Sequence, residues 1–200
     1  MTKLSLDFYL TTDVVQAARN LLGKVLYTCV DGQVSAGIIV ETEAYCGATD
    51  QACHAYPNKR TKRTETMYQT GGTAYVYLCY GMHHMFNVVT NAPDVADAVL
   101  VRAIEPVEGL DLMKTRRKLK KPGTHLTAGP AMLTQALGIS TSDDMTDLLG
   151  DKIWLEDQGR VYSEEEVIAS PRVGIDYAGD DALLPWRFRV KENKWCSKAK

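Results

Sequence analysis

Apolar residues first recur at helical spacing. Val14, Val15, Ala18, Leu21 and Leu22 share one side, Thr11-Thr12-Asp13 supplies N-cap chemistry, and Gly23 closes the segment. The period then changes. Residues 24–30 (KVLYTCV) are β-branched and apolar and predict a strand. Asp31-Gly32 predicts a tight turn, and residues 34–43 (VSAGIIVETE) predict the returning strand. Residues 46–66 are polar, contain Gly47 and Pro57, and predict a long loop with one helical turn. A loop of that length in a compact domain is usually functional. Residues 73–80 (TAYVYLCY) and 83–90 (HHMFNVVT) predict a hairpin joined at Gly81-Met82, with Tyr80 at its tip. Residues 98–104 (AVLVRAI) predict a buried strand with one charge, Arg102. Pro106 is expected to open a helix running to about Lys118, which Lys121-Pro122-Gly123 breaks. Gly129-Pro130 opens another, ended by Gly138. Short strands are expected at 152–155, 167–169, 173–175 and 187–190. Together these elements predict an α+β fold: a single domain with a mostly antiparallel β-sheet core, surrounding helices and a protruding β-hairpin.

Composition narrows the class. The chain has 200 residues, 45% hydrophobic and 24% charged, enough for a sizeable core and too apolar for general disorder. No apolar run approaches the ~20 residues of a membrane span, and the N-terminus lacks a signal peptide's apolar centre. A cytoplasmic protein is expected. Five cysteines without a CxxC pair argue against a disulfide framework. The net charge of -2 favours no partner by itself. Basic residues nevertheless cluster: six of the eight residues from 114 to 121, and four of the five from 59 to 63. Each run reads as a solvated surface or, taken together, as a basic face.

Several side chains invite chemistry. Glu41 and Glu43 lie two apart on a strand and share a face. They read as surface acids, as one acid paired with a core arginine, or as a working pair. Arg102 inside an apolar strand needs a partner if buried, and a Glu on a neighbouring strand suits it. Such a partner would orient a general base. Six of ten tyrosines fall between residues 45 and 80. They read as strand packing or as flat surfaces for a planar ligand. Tyr80 at a hairpin tip is hard to explain by packing and reads as a wedge. His54, His83 and His84 with Cys46, Cys53 and Cys79 lack the paired spacing of zinc ligands, so no metal is expected. A Cys53–His54 nucleophile is unsupported, and Gly71-Gly72 lacks the rest of a phosphate loop.

Larger blocks then add up. IVETEAY (39–45), AYVYLCYGM (74–82) with Asn87, LVRAIEPVEG (100–109), TAGP (127–130), SPRVG (170–174) and LPWRFRV (184–190) occur in order. Together they resemble the alkyladenine (3-methyladenine) DNA glycosylase family, over about residues 10–195. The resemblance implies one glycosylase domain spanning 1–200, a monomer that uses neither metal nor organic cofactor. It implies a monofunctional base-excision repair enzyme acting on double-stranded DNA with damaged purines. Such an enzyme flips an alkylated or deaminated purine, 3-methyladenine foremost, and hydrolyses its N-glycosidic bond. By the same resemblance Glu43 activates water, Arg102 helps hold that water and the base, and a backbone carbonyl of Val173 completes the site. Tyr45, His54, Tyr77 and Asn87 then bind the base. Tyr80 fills the gap in the duplex and Met82 follows it into the minor groove. At position 83 this chain has His where some relatives carry Tyr, and Lys59 and Thr61 fall where relatives touch phosphate. Two other classes compete. A carbohydrate hydrolase would use Glu41 and Glu43 together, although such carboxylates normally come from separate segments. A non-catalytic nucleic-acid module would leave the TEAY and VRAIEP blocks without a purpose.

Overall fold

The computed structural model describes residues 2–121 and 123–198; Pro122, expected in the break after a helix, lies outside them. Among the described residues nine strands form one sheet: β1 (Thr2–Lys3), β2 (Val25–Val30), β3 (Gln33–Cys46), β4 (Ala74–Cys79), β5 (His83–Thr90), β6 (Asp97–Glu108), β7 (Ile153–Asp157), β8 (Val167–Ser170) and β9 (Arg187–Val190). The order is β1-β7-β2-β3-β6-β5-β4, and the strand pairs are antiparallel. The first half of β3 pairs with β2 and its second half with β9, which carries β8. Helices α1 (Leu6–Tyr9), α2 (Val14–Asn20), α3 (Leu110–Arg116) and α4 (Pro130–Leu137) surround the sheet. The fold is therefore a single α+β domain. No helix among the described residues is long and apolar enough to cross a membrane.

Local chemistry explains most boundaries. Asp13 caps α2 by accepting from the amides of Val15 and Gln16. Asp31 and Gly32, both at positive φ, make the two-residue turn between β2 and β3. Residues 35–44 of β3 are buried without interruption, because this strand is covered on both faces. One cover is α2, held by a hydrogen bond from Thr42 Oγ to the Ala18 carbonyl (2.7 Å).

Two expectations fail. Pro106 does not start a helix but lies in β6, opposite Gly37, where the register shifts. A proline is tolerated at such an irregularity because no ladder donor is required. The helix begins only after Gly109, whose φ of +71° turns the chain against the backbone of Val34. Residues 173–175 form no strand, and 173–174 are a bend: the Val173 amide donates to a side chain instead of a ladder.

A second irregularity positions charge. Ile39 pairs with Ile104, Glu41 with Ala103 and Thr42 with Val101. Val40 and then Arg102 are each left without an opposite residue, and such bulges re-aim side chains. Arg102 Nε donates to Glu41 Oε1 (2.9 Å), as does Arg187 Nε from β9 (2.8 Å). Ser197 adds its amide on Glu41 Oε2 (2.6 Å) and its hydroxyl on Oε1 (2.8 Å). All four residues are buried. Removing one member of a buried ion cluster leaves the others without compensation, at about 3–5 kcal/mol. Glu41→Ala is expected to lose stability of that order in urea titration. A loss below about 1 kcal/mol, the size of a surface pair, would contradict this.

Candidate active site

A cavity of about 560 Å³ opens beside the second half of β3. That volume lies within the roughly 300–1,000 Å³ common for small-ligand sites. Its walls come from β3, the β4–β5 pair, β6, the 46–66 loop and the bend after β8. Glu43 lies at its base, wholly buried. Three donors hold the carboxylate: Tyr45 Oη on Oε2 (2.8 Å), Arg102 Nη1 on Oε2 (3.2 Å) and the Val173 amide on Oε1 (2.9 Å). Val173 thus reaches Glu43 through its N–H, a contact separate from the carbonyl that the resemblance assigns to the water site. A carboxylate accepts about four hydrogen bonds. Three positions are filled from the protein among the described residues, which leaves one.

The opposite wall is aromatic. Tyr75 and Tyr77 share a face of β4, with ring centroids 5.4 Å apart. The His54 ring stands edge-on to Tyr77, at 4.7 Å and 79°. His54 Nδ1 lies 3.0 Å from Tyr75 Oη, and Nε2 lies 3.1 Å from Arg63 Nη2. A guanidinium only donates, so Nε2 accepts and the proton belongs on Nδ1. Burial, then the Arg63 charge, pushes the His54 pKa down to about 4, so the ring is neutral at pH 7. Burial also raises the Tyr45 phenol, with Glu43's charge adding to it, which keeps Tyr45 a donor. Asn87 is buried, with Nδ2 donating to the Tyr75 carbonyl (3.1 Å).

Two residues outside the sequence-read site shape it. Arg172, in the SPRVG block, makes a double hydrogen bond to Asp50 (2.5 and 2.8 Å) and also donates to the Ala44 carbonyl (2.8 Å). Its guanidinium lies 4.7 Å from the Tyr45 ring centroid and covers it. This pair ties the 46–66 loop to the segment carrying Val173. Asp50 and Arg172 are 122 residues apart, and no spacing in the sequence links them.

The structure thus brings Glu43, Arg102, Val173, Tyr45, His54, Tyr77, Asn87 and Tyr80 to one cavity. Tyr80 stands at its rim, 87% exposed, at a φ of +50° that bulky residues rarely adopt. Gly81, also at positive φ, completes the turn. Met82 and His83 are exposed beside it and do not line the cavity. Lys59 and Thr61 lie off the cavity too, and Thr61 is engaged with Thr64. The basic run 114–121 is partly structural: Arg116 donates to Ser35 Oγ and the Ala136 carbonyl, and Arg117 to Gln135 and the His125 carbonyl. Among the described residues, no group of three or more His, Cys, Asp or Glu is placed to hold a metal ion.

Comparison with known sequences adds an independent finding. Residues 7–194 match the family described as methylpurine-DNA glycosylase. Three relatives carry the name "Putative 3-methyladenine DNA glycosylase". The protein from Clostridium perfringens (strain 13 / Type A) is 42% identical, covering 98% of this chain and 99% of its own. That from Chlamydia abortus is 46% identical, over 91% and 95%. That from Natranaerobius thermophilus is 44% identical, over 98% of each.

The neutral imidazole makes stability depend on pH. Folded His54 takes its proton near pH 4, an unfolded histidine near 6.5. Between these values the unfolded chain binds more protons. The residue's contribution is therefore complete above about pH 6.5 and is lost as pH falls toward 4, by about 3 kcal/mol. Urea titrations are expected to show the stability of wild type relative to His54→Gln falling by that amount from pH 7 to 4. A difference independent of pH would contradict the assignment.

Proposed function

The chain belongs to the methylpurine-DNA glycosylase family, a hydrolase acting on N-glycosyl bonds, and on that premise we propose how its cavity excises a purine. The protein is a DNA-repair glycosylase for alkylated bases. The finer reading is a monofunctional enzyme, one domain over 1–200 and a monomer on double-stranded DNA. It rotates an alkylated or deaminated purine, 3-methyladenine foremost, out of the duplex and into the cavity.

The observation that carries this reading is the Glu43 carboxylate. It is held by three donors at the base of an aromatic-walled cavity, with one acceptor position left. A water on that position gives its proton to Glu43 as its oxygen attacks C1′. The bond from C1′ to the purine breaks, and its electrons enter the base. An N3- or N7-alkylated purine is cationic and leaves as a neutral molecule, so a strong general acid is unnecessary. The Glu43 charge also stabilises the oxocarbenium-like sugar. Arg102 keeps the carboxylate aimed and helps hold water and base, and Val173 fixes the other oxygen. Among the described residues no lysine lines the cavity, and the reading includes no Schiff-base lyase route.

Tyr45, His54 and Tyr77 enclose the base. Aromatic faces attract a cationic ring by roughly 0.5–2 kcal/mol each, and a neutral His54 avoids repelling it. Arg172 already covers one face of Tyr45, which leaves the other for the base. Asn87, its amide nitrogen tied to the strand, meets the purine edge, and the 2-amino group of unmodified guanine would collide with it. Flipping costs a few kcal/mol, and Tyr80 offsets part of this by stacking in the vacated position. Met82 and His83 follow into the groove, with Lys59 and Thr61 at phosphates.

Glu43→Gln is expected to bind duplex containing 3-methyladenine while base release falls by about 10²–10⁴-fold, the usual worth of a general base. Chromatography of released bases reads the result, and near-normal release would reject water activation. Tyr80→Ala is expected to weaken duplex binding while inhibition by free 3-methyladenine stays unchanged. Equal losses in both would reject the wedge.

A further inference from the structure

The basic cluster at 59–63 divides in space. Arg60 turns outward to Glu65 and Asp94 and lies over the Tyr68 ring. Arg63 turns the other way, lines the cavity, and sets its guanidinium 5.5 Å from the Tyr77 ring centroid. Its Nη2 reaches His54 Nε2 at 3.1 Å. The aromatic wall proposed for the base therefore already carries a cation.

The other charges here are committed. Arg102 lies between Glu41 and Glu43, and Arg172 is paired with Asp50. Among the described residues, no carboxylate lies within ion-pair distance of Arg63. Its partners are the Tyr77 face, the neutral His54 imidazole and the Tyr75 hydroxyl, and the residue is exposed. We infer that Arg63 is a specificity-determining residue: it competes for the Tyr77 face and sets the balance between cationic and neutral purines. The inference rests on the cavity being the base site.

Any base that stacks on Tyr77 must move the guanidinium aside, and that cost is common to all bases. It cancels when two lesions are compared on one protein. What does not cancel is charge. A cationic N-alkylpurine is repelled by a guanidinium that remains at the rim, and a neutral purine is not. Arg63 therefore restrains the preference that an aromatic pocket gives to cations. When displaced, it carries a free positive charge at the mouth, where the phosphates of a flipped nucleotide pass.

The test compares release of 7-methylguanine, cationic in DNA, with release of neutral hypoxanthine from matched duplexes. Wild type, Arg63→Gln and Arg63→Lys are measured by kcat/KM. Arg63→Gln is expected to raise the cationic-to-neutral ratio by about threefold or more, the size of one exposed charge interaction, while the charge-keeping Arg63→Lys leaves it near wild type. Losses of folding or DNA affinity cancel in this ratio. If hypoxanthine is not released, the comparison is made on 7-methylguanine alone, where Gln must exceed Lys. An unchanged ratio, or Gln no faster than Lys, overturns the role of Arg63 alone. Release of neither base by wild type removes the base-site reading and the inference with it.

Discussion

One buried guanidinium shared between two buried carboxylates organises this molecule. Arg102 donates Nε to Glu41 and Nη1 to Glu43, and neither acid is exposed to water. Two such charges on one strand face would repel each other without a cation between them. The balance extends backward through Glu41 to Arg187 and Ser197, and forward through Glu43 to Tyr45 and Val173. The rear half is closed and structural. The front half ends in a cavity and keeps one acceptor position. A single ion cluster thus joins the stability of the sheet to the aim of the proposed base.

The remaining architecture follows from what that cavity must present. β3 carries the acids in its buried middle because α2 covers it on one side. The bulges at Val40 and Arg102 let the arginine meet both acids. Opposite, the alternation of β4 places Tyr75 and Tyr77 on one face, and His54 bridges from the 46–66 loop. That loop is shaped, despite its polar sequence, by the Asp50–Arg172 pair. Its Cys53 and Ala55 pack in a small core with Met67 and Tyr68 of the turn that follows. Burial keeps His54 uncharged, so the wall attracts a cation and Arg63 occupies that position in the free protein.

Local chemistry made much of this legible in the sequence. The N-cap chemistry before α2, the Asp31-Gly32 turn and the Gly138 terminus are short-range signals, and β2 beside that turn is a run of β-branched and apolar residues. An arginine alone in an apolar strand announced a carboxylate partner. The mistakes share one cause, which is that distant contacts override local pattern. Pro106 reads as a helix start until β3 is beside it, and residues 173–175 read as a strand until the Val173 amide meets Glu43. Arg172 and Asp50, 122 residues apart, and Ser197 and Glu41, 156 apart, leave no trace in spacing. The basic cluster was visible as charge, but composition does not tell that Arg60 faces out and Arg63 faces in.

The most direct test is a crystal structure of the protein on a duplex holding a 2′-fluoro, uncleavable alkylated purine nucleotide. The account predicts the base between Tyr45 and Tyr77, Tyr80 in the vacated stack, and an ordered water bridging Glu43 and C1′. A base left in the helix, or a C1′ separated from Glu43 by intervening protein, would contradict it.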